Sequence, residues 1–152
     1  MVNISSQNSG KPLTILVVED DEDDYLLIEN TLNKCGGKPV VNWVKNGEEA
    51  INYIFRKGEY EKLQASTRPS LIFLDIKMPK MNGLEATKII KGNSDTKMIP
   101  VIIVSTSSHE KDVTNAYKNG ANSFINKPIG RKEQDSFKSL LCSYWSSMVL
   151  FP

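Results

Sequence analysis

Leu71-Ile72-Phe73-Leu74-Asp75-Ile76-Lys77-Met78-Pro79 runs four apolar residues into one carboxylate and then into a proline. A short, continuously apolar run is the mark of a strand covered on both faces, and the chain must leave that strand before Pro79. Asp75 therefore sits at a carboxyl end. Two other stretches end in the same way: Ile15 to Val18 runs into Glu19 and Asp20, and Ser123 to Asn126 runs into Lys127 and Pro128. In a parallel α/β sheet the carboxyl ends of the strands share one rim, so a crevice there gathers all of these side chains.

The chain around these strands alternates regularly. Leu13 to Val18 reads as the first strand, and Tyr25, Leu26, Ile28 and Leu32 follow at helical spacing, with acids in the first turn and Cys35, Gly36 and Gly37 as a stop. Pro39 opens a second strand, Val40 to Val44. Asn46 and Glu49 have capping-box spacing ahead of a stripe of Ala50, Ile51, Ile54 and Phe55, with Gly58 as the stop. Glu59 to Ser70 reads as a polar connection to the third strand, Leu71 to Leu74. Gly83 to Lys91 reads as a helix and Gly92 to Ile99 as a loop, and Pro100 starts the fourth strand, Val101 to Val104. A helix beginning near Ser108 carries Val113, Ala116 and Tyr117 and stops at Asn119 and Gly120. Phe124 and Ile125 form a short fifth strand, and Phe137, Leu140, Leu141, Tyr144 and Met148 mark the apolar face of a last helix. Five strand–helix alternations without a sequence repeat predict a doubly wound five-stranded parallel sheet with five helices. The expected divisions are a polar lead over residues 1–12, one domain over 13–147 and an apolar tail over 148–152.

Composition narrows the function. With 152 residues, 39% of them hydrophobic, the chain has room for one domain with a sizeable core and too little for two. A net charge of +1 with acids and bases interspersed argues against nucleic acid as a partner. No apolar run reaches the length of a membrane span, and residues 1–11 lack a signal-peptide core, which predicts a cytoplasmic protein. Cys35 and Cys142 lie far apart in no metal-binding pattern and read as free thiols in a reducing compartment.

Glu19 and Asp20 beside Asp75 would crowd three negative charges, an arrangement that calls for a cation. A carboxylate-rich, all-oxygen site with open positions suits Mg²⁺, which accepts phosphate oxygens as further ligands. Lys127 and a hydroxyl from Ser105 or Thr106 could stabilise charge developing on a transferred phosphoryl group. Taken singly, Asp21 to Asp24 read as a solvated helix start, and Lys80, Asn82 and His109 as surface residues. Trp43 and Tyr53 read as packing.

The segments ILVVEDD (15–21), LIFLDIKMPKMNG (71–83), PVIIVSTSS (100–108) and SFINKP (123–128) resemble the receiver domain of two-component response regulators. The resemblance implies a flavodoxin-like fold and a phosphoacceptor protein, not an enzyme with a separate substrate. Asp75 would take the phosphoryl group from a sensor histidine kinase or a histidine phosphotransfer protein and lose it slowly by itself. Asp20 would bind Mg²⁺ directly, Glu19 would assist, and Asp75 and the Lys77 backbone carbonyl would complete the protein ligands. Lys127, Ser105 and the Thr106 backbone amide would hold the phosphoryl oxygens, and Ser105 with Phe124 would form the switch. The family's usual cis bond before the proline matching Pro128 would aim Lys127 at the site. Lys77 departs in charge at a position where the family tunes phosphoryl lifetime, Ser105 stands where threonine is commonest, and Phe124 lacks a phenolic hydroxyl.

The long connection around Gly58 to Tyr60 and the apolar tail resemble single-domain receivers that serve phytochrome-type kinases. About two dozen residues follow Pro128, too few for a DNA-binding effector, so output through docking is expected. The surplus apolar residues of the last helix and tail favour a homodimer through the fourth helix, fifth strand and last helix. A flavin- or nucleotide-binding module is the main rival on this fold, and it would need a phosphate cradle where the chain has EDDEDD. An aspartyl-phosphate hydrolase would want an acid at position 77, and a phosphorylation-independent scaffold would need none of the site.

Overall fold

The computed structural model describes residues 13–35, 39–63, 68–128 and 130–143. Its strands are β1 (Thr14–Val18), β2 (Val40–Val44), β3 (Leu71–Leu74), β4 (Val101–Ser105) and β5 (Ser123–Asn126). They alternate with helices α1 (Glu22–Lys34), α2 (Gly47–Ile54), α3 (Gly83–Gly92), α4 (Glu110–Lys118) and α5 (Arg131–Ser143). All strand pairs are parallel, in the order β2-β1-β3-β4-β5. The doubly wound five-stranded sheet read from the sequence is therefore the fold.

The two-residue period of the strands divides the core into two layers. Leu16, Val18, Ile72, Leu74, Val101 and Ile103 pack with Ala50, Ile54, Ala86, Ile90 and Ala116 under α2, α3 and α4. The alternate residues Ile15, Val17, Leu71, Phe73, Ile102 and Val104 pack with Tyr25, Ile28, Leu32, Phe137 and Leu141 under α1 and α5. Each large side chain fully removed from water in this way contributes about 1.5–3 kcal/mol. Helices change face between β1 and β3, and that change of direction opens a crevice at their carboxyl ends.

Three helices start on side-chain caps, which satisfy backbone N–H groups that have no intrahelical partner. Asp21, Asn46 and Asn82 accept from the backbone N–H groups of Asp24, Glu49 and Glu85. Asn82 is thus a cap and not merely a surface residue, whereas His109 precedes α4 without a side-chain cap bond. Helix α2 ends at Ile54, before Gly58, and a 3-10 turn over Gly58–Tyr60 follows. Ala116 is the buried residue of α4, while Tyr117 and Leu140 are exposed: the period of those helices marked a wider apolar face than the sheet covers.

The expectation of free thiols is overturned. Cys35 at the end of α1 and Cys142 near the end of α5 form a disulfide, with Cα atoms 4.8 Å apart. Spacing rules detect local metal and redox motifs, whereas this pair meets because α1 and α5 pack side by side on one face of the sheet. Tyr144, Trp145, Met148 and the apolar tail lie outside the described residues.

Candidate functional site

Backbone hydrogen bonds fix each strand end before any side chain acts. The Glu19 N–H donates to the Val44 carbonyl at 3.0 Å, and Trp43 Nε1–H donates to the Glu19 carbonyl at 2.7 Å. Trp43 in turn stacks on Tyr25, with ring centroids 4.2 Å apart. The Asp75 N–H donates to the Val18 carbonyl at 3.0 Å, so β1 and β3 deliver Glu19 and Asp75 side by side. Asp75 Oδ1 accepts from the Ile76 N–H at 2.8 Å. Gly83 closes the loop behind it: a Cβ there would lie 1.9 Å from the Asp75 carbonyl oxygen, so only glycine permits this approach.

Carboxylate oxygens of Glu19, Asp20 and Asp75 lie within 4.8 Å of one another, with Asp20 exposed and the other two buried. Such a hard, all-oxygen donor set with an exposed side fits a divalent cation of the Mg²⁺ or Mn²⁺ kind. Lys127 reaches the cluster from the end of β5, where its N–H donates to the Ser105 carbonyl at 2.8 Å. The bond joining Lys127 to Pro128 is trans, contrary to the expected cis form. Pairing of β5 with β4 aims the lysine without it. Its Nζ lies 2.6 Å from Glu19 Oε2, 2.9 Å from Asp24 Oδ2 and 3.1 Å from Asp75 Oδ2.

Asp24 is the residue that sequence reasoning missed. Its neighbour Asp21 does serve as a helix start, but one turn into α1 the Asp24 side chain turns back over the rim to Lys127. An acid within a run of acids carries no mark of this, because its partner comes from the end of β5, about a hundred residues away. Ser105 is buried, and its hydroxyl oxygen accepts from the Ser107 N–H at 3.2 Å. Thr106 and Lys77 are exposed, and Phe124 is half-buried against the layer beneath α2, α3 and α4.

Burial and the nearby Asp75 push the Glu19 carboxyl up to about 8, outweighing its hydrogen bond from Lys127. Asp75 is raised by burial and by Asp20, against the pull of Lys127. Burial works against the Lys127 ammonium, but hydrogen bonds to Glu19 and Asp24 prevail and raise its pKa. Burial, with the charge of Asp75, thus has the metal-free Glu19 carboxyl take up its proton as pH falls through about 8. Because the folded state binds that proton more tightly than the unfolded chain, the stabilisation is complete below about 4.5 and is lost as pH rises through about 8. Metal-free protein should therefore lose stability across this window, and saturating Mg²⁺ should reverse the loss while releasing protons at pH 7. Urea unfolding with and without Mg²⁺, and calorimetry in buffers of different ionisation enthalpy, check both effects; a flat metal-free profile contradicts the assignment.

A buried carboxylate flanked by two acids and a lysine thus stands at the switch point of a doubly wound sheet, the site of a signalling receiver rather than of a nucleotide cradle. The response regulator receiver domain model matches residues 15–136, and the chain belongs to that family. Response regulator Rcp1 of Synechocystis sp. is 35% identical over 149 residues, 97% of this chain and 98% of that protein. The crystal structure of the phosphorylated cyanobacterial phytochrome response regulator RcpA superposes with a TM-score of 0.84 at 32% identity, covering 93% of this chain and 99% of that one. The Mn²⁺-bound form of Rcp1 superposes equally well, with a TM-score of 0.84 at 33% identity over the same shares. The similarity to phytochrome-associated regulators read from the sequence holds. The protein is a response regulator of two-component signalling, and the flavin-binding and scaffold readings are not favoured.

Proposed function

We propose that Asp75 is the phosphoacceptor and that it takes its phosphoryl group from a phosphohistidine on a sensor kinase or phosphotransfer protein. The observation that carries this is the convergence of Glu19, Asp20 and Asp75 with Lys127 on one rim. A carboxylate oxygen of Asp75 forms the bond to phosphorus as the bond to the histidine nitrogen breaks, and the electron pair of that bond leaves with the imidazole. Glu19, Asp20, Asp75 and the Lys77 carbonyl would hold Mg²⁺, which offsets charge on the transferring group. The Lys127 ammonium pairs with a phosphoryl oxygen, and the Ser105 hydroxyl and Thr106 backbone N–H donate to the others.

Once Ser105 is drawn toward the phosphoryl group, space opens for the half-buried Phe124 to turn inward. A local charge event thereby biases a packed, two-position element. The docking surface that changes is the face built by α4, β5 and α5, where Leu140 is 53% exposed. This face suits a homodimer or a partner protein in the cytoplasm. Among the described residues no helix is long and apolar enough to cross a membrane.

Incubation with Mg²⁺ and acetyl phosphate should add the mass of one phosphoryl group, and EDTA should suppress the addition. Intact-mass spectrometry reads the result. Uptake undiminished by EDTA would remove the metal from the reading, and no uptake from acetyl phosphate or phosphoramidate would remove the phosphoacceptor.

A further inference from the structure

We propose that Asp24 is a positioning residue that competes with the phosphoryl group for Lys127 and so sets how readily the site is occupied. This rests on the phosphoacceptor reading of Asp75. An ammonium has three N–H donors, and in this structure three carboxylates lie within ion-pair distance of Lys127 Nζ: Glu19 at 2.6 Å, Asp24 at 2.9 Å and Asp75 at 3.1 Å. The lysine has no donor to spare. A phosphoryl group converts the Asp75 carboxylate into an acyl phosphate and brings three acceptor oxygens and about two negative charges, so for Lys127 to offer it more than the donor Asp75 already held, the lysine must withdraw from Glu19 or Asp24.

Burial decides which one is released. The Glu19 side chain is 1% exposed, so its oxygens have no water to turn to when the lysine leaves. Asp24 is 39% exposed and regains water at once when its partner leaves. It also stands on a different element from the rest of the cluster, in the first turn of α1, whose start is fixed by the Asp21 cap on the Asp24 N–H. Asp24 thus stabilises the unoccupied arrangement of Lys127 and is the partner lost on phosphorylation. Its removal should favour the occupied state.

The test is beryllofluoride binding in the presence of Mg²⁺, followed by titration, with lifetimes of the phosphorylated form measured alongside. Asp24→Asn should bind beryllofluoride about two- to five-fold more tightly, the range set by a partly exposed ion pair. Simple relief of repulsion would give a gain too, so two controls separate the cases. Asp23→Asn removes a charge from the same helical turn and should change affinity little. In a Lys127→Ala background the Asp24→Asn gain should vanish, because the competition acts through the lysine. An Asp24→Asn protein that binds as the wild type does, or more weakly, overturns the proposal, as does a gain that persists without Lys127. Wild-type protein that binds no beryllofluoride overturns the phosphoacceptor reading itself, and the role of Asp24 with it.

Discussion

Asp75→Asn protein incubated with Mg²⁺ and acetyl phosphate should stay at its unmodified mass while the wild type gains one phosphoryl group. Asparagine keeps the shape of the side chain, and its amide oxygen can still accept from the Ile76 N–H that Asp75 Oδ1 now uses at 2.8 Å. The fold has no reason to fail. What disappears is the anionic oxygen proposed to attack phosphorus and its proposed charged contribution to cation binding, so Mg²⁺ affinity should fall by roughly tenfold or more. Loss of the Asp75 charge also removes one of the influences that raise the Glu19 carboxyl, so the pH-dependent loss of metal-free stability should move to lower pH. Trp43, hydrogen-bonded to the Glu19 carbonyl, gives a local fluorescence signal for the metal titration. A phosphorylated Asp75→Asn protein would transfer the acceptor role to another acid, with Asp20 the first to replace.

Reduction of the Cys35–Cys142 disulfide should lower stability by about 3–5 kcal/mol. The two cysteines are 107 residues apart, so the bridge closes β2 through most of α5 into one loop and strips the unfolded chain of much of its freedom. The bridge also fastens the ends of α1 and α5, whose Leu32, Phe137 and Leu141 share one buried cluster. Denaturant unfolding in the presence and absence of a dithiol reductant measures the difference, with Cys142→Ser as the covalent control. The control should match the reduced wild type. Equal stability of oxidised and reduced protein would contradict the linkage. The site lies at the carboxyl ends of the strands, and its residues take no part in the bridge, so Mg²⁺ binding should survive reduction at temperatures where the domain stays folded.

The order of elements and the meeting of the acids with Lys127 were legible in the chain because both depend on local pattern. Apolar runs in β1, β3 and β4, capped starts for α1, α2 and α3, and a two-way choice of period between them place most elements, and the alternation supplies the rest. The rule that carboxyl ends share a rim then brings Glu19, Asp20, Asp75 and Lys127 together. Sequence alone also supplied Ser105 at the end of β4 and Phe124 in β5. Three matters were decided only by tertiary structure. Cys35 met Cys142 because α1 and α5 lie on the same face of the sheet, a pairing across 107 residues that no spacing encodes. Asp24 reached Lys127 because the first turn of α1 overhangs the strand ends, while its neighbours Glu22 and Asp23 are exposed. Tyr117 and Leu140 stayed exposed because a helix's apolar period shows which face is greasy but not how much of that face the sheet covers. Periodicity records what each element does along its own axis, and the distances between elements exist only once the chain has packed.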